Sequence, residues 1–169
     1  MIRLPGFALA FAVLPSIAIA QAASISTITT SCTTPNGTPT IHHQGLPQLG
    51  NQNFSISYTG PNMLGTLMLR PYLVIGFNVI SPSPIPTTMF PAQPANCILL
   101  ARHDIVWAAP EGHGTYIDLL TLPIPNSPAL NGGVFYAQWI TVHTQCGIVP
   151  PCWNDWVATS DTLACTIGV

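Results

Sequence analysis

The sequence predicts an all-β fold, an antiparallel β-sandwich of jelly-roll or Greek-key type, preceded by a cleaved signal peptide. Three observations carry this expectation. Eighteen prolines and 13 glycines are spread through 169 residues, which leaves little room for long regular helices. Apolar and polar residues alternate in several short segments. Clusters of turn residues separate those segments, with no helical pattern between them.

The elements follow in order. The chain opens MIRLPGFALAFAVLPSIAIAQAAS, with one cation, Arg3, ahead of an apolar run. Small residues at Ala18 and Ala20, and again at Ala20 and Ala22, give two A-x-A cleavage signatures, so residues 1–22 read as a signal peptide. The run is shorter than the roughly 20 apolar residues that span a bilayer, and no later stretch reaches that length. Removing 22 residues leaves one domain, 23–169, large enough to bury a core. FSISYT at 54–59 alternates cleanly. Residues 67–69 and 72–77 read as strands interrupted by Pro71, and 97–101 as a short buried strand. Residues 115–122 form another, ended by Pro123 and Pro125. Residues 134–142 have apolar side chains on both faces, the mark of a central strand. The last strand, 162–167, puts Leu163, Cys165 and Ile167 on one face. Turns are expected at 35–37, 60–62, 81–86, 123–128 and 131–133, and the proline-rich stretch 81–94 reads as a long loop. Trp107 and Trp139 sit in apolar runs and read as core.

Charge excludes several functions. Once Arg3 is removed, the only cations are Arg70 and Arg102, and charged residues make up 5% of the chain, against about 25% in an ordinary domain. Nucleic-acid binding needs several Lys or Arg to neutralise phosphates, so it is excluded. Attraction to anionic lipid fails for the same reason. With no lysine, Schiff-base catalysis is excluded too. The two arginines are expected to pair with Asp104, Asp118 or their neighbours.

The five cysteines, in an exported chain, read first as cystines. Cys146 and Cys152 bracket a short loop whose closure would contribute roughly 2 kcal/mol on the chain-entropy model. Cys32 with Cys97 is the next pair, which leaves Cys165 as a buried thiol. Zinc is disfavoured, because five residues between Cys146 and Cys152 exceed the usual knuckle spacing.

Several segments carry a resemblance. They are GLPQLGN at 45–51, NCILL at 96–100, LPIPNSPALNG at 122–132, FYAQW at 135–139 and the terminal Ile167-Gly168. In order and rough spacing they are similar to a family of small exported bacterial β-sandwich domains, found alone or appended to larger exported proteins. The resemblance implies a fold and a compartment; the family has no established activity, so it implies no catalytic residue. The chain departs from the pattern after Val142. Relatives have a short turn containing Asp and Gly there, and this chain has a longer insertion reaching Trp156.

Within that insertion, Trp153, Asn154, Asp155 and Trp156 form the candidate ligand-binding group. Two indoles flanking an amide and a carboxylate on a stapled loop can stack on sugar rings and take their hydroxyls. The competing reading has both indoles folding back to cap the sandwich. Enzyme motifs such as G-x-S-x-G, H-E-x-x-H or a P-loop are absent from the sequence. A hydrolytic site would have to be assembled from His103, Asp104, Glu111 and Asp118. His42, His43, His103, His113 and His143 read as polar surface residues rather than metal ligands, and a calcium site at Asn154, Asp155 and Asp161 lacks the loop pattern that calcium needs. No cofactor or metal is expected. The leading functional expectation is a non-enzymatic structural or interaction domain of the cell exterior, partnering itself or other exterior proteins. A carbohydrate-binding module acting on polysaccharide through Trp153 and Trp156 is the alternative, and a small secreted hydrolase a second one.

Overall fold

The computed structural model describes residues 20–34, 37–60, 67–85, 96–109, 117–145 and 153–169. They form ten strands: β1 (Ser24–Ile28), β2 (Thr40–Gln44), β3 (Ser55–Thr59), β4 (Leu67–Gly76), β5 (Val79–Pro84), β6 (Ile98–Ala101), β7 (Ile105–Ala108), β8 (Ile117–Thr121), β9 (Val134–Gln145) and β10 (Trp153–Thr166). A single 3-10 turn, Pro128–Leu130, interrupts them. Five strands make one sheet in the order β1-β10-β9-β4-β7; β2-β3-β8 form a second sheet and β5-β6 a third. Every named pairing is antiparallel. The protein is an all-β antiparallel sandwich, as its alternation and turn spacing imply.

The core lies between the five- and three-stranded sheets. Phe54, Ile56 and Tyr58 from the β3 side meet Leu73 and Ile75 of β4, Phe135, Ala137 and Trp139 of β9, and Leu163 and Cys165 of β10. Aromatic edges hold the layer together. Trp139 packs at 5.2 Å from Tyr58 and takes the edge of Trp107 at 6.0 Å, and Phe54 meets Phe135 edge-on at 6.2 Å. Such pairs add to the area they bury. The Trp139 Nε1–H donates to Ser57 O and the Thr141 hydroxyl donates to Tyr58 Oη, so the polar tips are satisfied inside the layer.

Strand β9 lies centrally, between β10 and β4, as its two apolar faces imply. Strand β4 runs straight through Pro71. That residue's carbonyl accepts from Ala109 N–H, just past the end of β7. In an antiparallel ladder a residue's N–H and C=O point to the same neighbour. The donor that proline lacks would therefore face the Ala109 carbonyl, one residue past the end of β7, and no bond to β9 is lost. Residues 81–84, expected as loop, instead belong to β5, which pairs with β6 across an irregular register. All four are exposed. Pro82 falls within the register shift between Val79 and Ser83, and Pro84 ends the strand. Irregular positions and strand ends on a sheet edge are where a missing donor is tolerated.

On the face of β9 opposite Ala137 and Trp139, Gln138 is fully buried. Its Nε2 lies 2.8 Å from Ile98 O and 3.2 Å from both Ser160 O and Thr30 Oγ1, while its Oε1 accepts from Leu100 N–H at 3.0 Å. A side-chain amide thus pairs with β6 as a strand's peptide group would. Nearby, Ser160 and Asp161 of β10 oppose the single residue Trp139, which makes a β-bulge. Ser160 Oγ accepts the Trp139 N–H that the ladder would otherwise leave orphaned, and Asp161 Oδ1 accepts from the N–H groups of Thr30 and Ser31.

Cys32 and Cys97 form a disulfide with a Cα–Cα distance of 4.8 Å across a separation of 65 residues. Closing a loop of that length contributes about 4 kcal/mol on the chain-entropy model. It anchors a second cluster of buried residues with Trp156 and Ala158. Cys165 is a buried free thiol, as its place on the last strand implies. Cys146 and Cys152, the other expected pair, lie outside the described residues, as do residues 1–19 of the expected signal peptide. Among the described residues no helix is long and apolar enough to cross a membrane.

Replacing Gln138 with leucine leaves the buried Leu100 N–H and the half-buried Ile98 C=O without this partner. Urea denaturation of Gln138→Leu is expected to show a loss of about 3 kcal/mol, far more than an isosteric change at an exposed position.

Candidate functional site

Of the four residues singled out for sugar binding, Trp156 has a described side chain, and it is buried. Trp156 is 2% exposed and stacks face to face on the buried His143, with 4.2 Å between ring centroids and 5° between planes. It belongs to the cluster around the disulfide. The segment is strand rather than loop: Trp153 pairs with Gln145, Asn154 with Thr144 and Trp156 with His143, with the register shift falling at Asp155. Bringing Trp156 opposite His143 turns its ring inward, where the disulfide cluster needs volume. The side chains of Trp153, Asn154 and Asp155 lie outside the described residues. His143, expected at the surface, is 2% exposed.

The other chemical candidates whose side chains are described have local partners. His42 and His43 are exposed on β2, bonded locally to Thr40 and to Gly45 O. Arg102 pairs with Asp104 at 3.0 Å, and the second Asp104 oxygen accepts from Phe77 N–H. The expected arginine–carboxylate pairing is therefore present for Arg102, and it engages one of the carboxylates considered for a hydrolytic site. Glu111, His113 and the side chain of Asp118 lie outside the described residues. Asp161, considered for calcium, spends one oxygen on two backbone N–H groups at the bulge. Among the described residues no group of three or more His, Cys, Asp or Glu is placed to hold a metal.

What the fold does bring together is three of the segments noted in sequence. At the end of the sandwich where β9 begins and β10 finishes, Gln48 bridges to Gly168 in parallel fashion. Leu49 N–H donates to Gly168 O at 2.8 Å, and Gly168 N–H to Pro47 O at 3.3 Å. Gly50 N–H donates to Ile124 O and Ile124 N–H to Asn51 O, which fastens 45–51 to 122–132. Gly132 N–H reaches Ile167 O, and Ile167 N–H reaches Gly133 O. Pro123 and Pro125 keep the start of the middle segment out of the ladder, and Pro128 opens the 3-10 turn that follows. This end lies some 11 residues of β9 from the Trp153 end, roughly 35 Å at the rise of an extended strand.

Two clefts flank the 122–132 segment. One, of about 530 Å³, is lined by Gln48, Leu49, Asn126, Pro128, Asn131 and Val169. Its polar side chains are three neutral carboxamides, each able to donate and accept. Asn131 Oδ1 is buried and has no hydrogen-bond donor among the described residues. The other, of about 270 Å³, is an apolar groove. Ile75, Ile124, Phe135 and Ile167, all buried, form its floor, and Phe77 and Ile105 stand at its rim, 57% and 49% exposed. Val106 and Val79 nearby are 54% and 47% exposed. Strand β7, which carries Ile105 and Val106, is the last strand of the five-stranded sheet. Neither His103 nor Asp104 lines either cleft.

Sequence reasoning did not find these clefts, because neither contains a residue that stands out for its chemistry. The available signal was the clustering of Pro, Asn and Gly in 45–51 and 122–132. No family model, curated protein or solved structure matches the chain.

Burial raises the Cys165 thiol from 9.0 to about 12. An unfolded chain would ionise this thiol above pH 9, whereas the folded chain keeps it protonated until about 12. Its contribution to stability is therefore complete below pH 9 and is lost as pH rises through that window. Melting temperature, measured against pH, is expected to fall more steeply above pH 9 in the wild type than in Cys165→Ala, with the two curves parallel below it.

Proposed function

We propose that this chain is an exported interaction domain of the cell exterior that acts by contact rather than by catalysis. A disulfide within a small all-β domain is compatible with export. The observation that carries the reading is the apolar groove beside β7, with Phe77 and Ile105 exposed at its rim. Large exposed apolar groups around a concave apolar floor are the usual make-up of a contact surface. Strand β7, the edge of its sheet among the described residues, offers N–H and C=O groups to an incoming extended segment. The low charge of the chain works in the same direction, since little electrostatic repulsion opposes close approach of two copies.

Self-association is the simplest form of this function, because β7 can pair with a second β7 across a two-fold axis. Sedimentation equilibrium of the mature protein is expected to show a dimer that Phe77→Ser/Ile105→Thr weakens about tenfold or more, the usual loss on truncating a central apolar anchor. A wild type that stays monomeric up to millimolar concentration would remove self-association. Unchanged association in the double variant would remove the groove.

The carboxamide cleft favours a second reading, binding of a neutral hydroxylated ligand such as a polysaccharide. Gln48, Asn126 and Asn131 line the cleft with three carboxamides, each able to donate to and accept from a ligand hydroxyl. Retention on insoluble polysaccharides is expected to fall in Asn126→Ala/Asn131→Ala at equal thermal stability. Equal retention of both proteins would leave the contact reading alone.

A further inference from the structure

The two A-x-A signatures differ in the fate of two residues. Cleavage after Ala20 leaves Gln21 at the start of the chain, and cleavage after Ala22 removes Gln21 and Ala22. In the folded protein these residues are part of the structure. Val169 N–H donates to Gln21 O at 2.9 Å. Gly168 lies so close that a Cβ there would collide with Gln21 O, Ala22 C and Ala23 N. This is one of the few places where only glycine lets two backbones meet. Gln21 Cβ also lies against Gly132, about 4.0 Å from where a side chain on that glycine would begin. Immediately afterwards β1 pairs with the end of β10, Ser24 opposite Thr166. Residues 21–23 thus extend the packing of the first strand along the last. A chain starting at Ala23 would leave Val169 N–H without its acceptor and uncover Gly168.

We infer that the mature chain begins at Gln21 and that its terminus closes to a pyrrolidone ring. Cleavage after Ala20 is the cut that keeps every contact just described, and it makes glutamine the first residue. An N-terminal glutamine with a neutral α-amine carries its own electrophile. The α-nitrogen attacks the side-chain Cδ, a new C–N bond closes the ring, and the Cδ–Nε bond breaks. The side-chain nitrogen leaves as ammonia, taking the proton that the α-nitrogen gives up. No oxidant or second reactant is required. Gln21 is exposed, and the bond from Val169 uses its backbone carbonyl, which the ring leaves untouched. The reaction removes a cationic terminus from a chain that otherwise carries two arginines after processing. It also takes away the free amine that an aminopeptidase must grip.

The test is to express residues 1–169 in a secreting bacterium, recover the exported protein, and record its intact mass and N-terminal peptide before and after incubation at neutral pH. The expected mass is that of residues 21–169 less one ammonia and the hydrogens of its disulfides. The N-terminal peptide should be closed to sequential amine degradation. A terminus at Ala23, or a retained leader, would overturn the assigned start. A free Gln21 amine that survives the incubation would overturn the ring. A second measurement separates packing from processing: chains beginning at Gln21 and at Ala23, released from a cleavable fusion, are compared by thermal unfolding. The shorter chain is expected to melt several degrees lower, and equal melting temperatures would remove the structural argument.

Discussion

A chain with almost no charge must satisfy its buried polar groups with amides and hydroxyls, and Gln138 shows how this one does it. Its carboxamide reaches Ile98, Leu100, Ser160 and Thr30 from a single position on β9. The β5–β6 pair has no ladder to the five-stranded sheet, so this side chain supplies the peptide-like contact that the backbone does not. The same site stabilises the bulge in β10. Thr30 donates to Ser160 O and shares a hydrogen bond with Thr162, and Thr159 donates to Thr30 O. A half-satisfied network of this kind would be worse than an apolar core. Here each hydroxyl completes a neighbour, and the network ties β6, β9, β10 and the segment after β1 together.

How much of this was legible in the sequence depended on how many side chains each strand shares with water. Strands β3 and β9 were evident because each carries a regular pattern, alternating in β3 and apolar on both faces in β9. The early half of β10 was not. Its residues 157–160 are buried without alternation, and the bulge shifts the phase before the regular stretch at 162–166 begins. Strands β1, β2 and β5 are mostly exposed, so burial left little periodicity in them to read. Proline misled in two ways. It marked a break at Pro71 where β7 simply stops short, and it marked a loop at 81–84 where an exposed, irregularly paired strand tolerates Pro82 and Pro84.

The candidate site was legible for a different reason and only in outline. Trp153 and Trp156 drew attention because indoles are rare and chemically loud. Yet Trp156 is buried, stacked on His143 and packed into the disulfide cluster. Volume and burial decide between a stacking platform and a core plug, and neither can be read from composition. The segments around Gln48, Asn126 and Asn131 are quiet residue by residue. Their meaning emerges only when backbone bonds bring 45–51, 122–132 and 167–168 side by side, separating a polar cleft from an apolar groove. Function by contact suits such a site, because it needs shape and exposed apolar area more than reactive groups.

The topology also constrains when that site can exist. Strand β1 pairs with residues 162–166, and Leu49 and Gly168 close the end of the sandwich. The first strand of the domain therefore finds its partner only in the last, and pairing at such separation carries the full loop-closure cost before it is rewarded. A chain delivered N-terminus first must hold β1 unpaired until the final residues arrive. The disulfide between Cys32 and Cys97 can act earlier, since both cysteines precede β9 and β10. Once formed, it restricts the loop that later strands must close and lowers the entropy lost in the last pairing. An oxidising compartment thus favours both the stability of this fold and its order of assembly. The clefts flanking 122–132 appear only at the end, when residues 167–168 dock against 45–51, and they are completed with the fold itself.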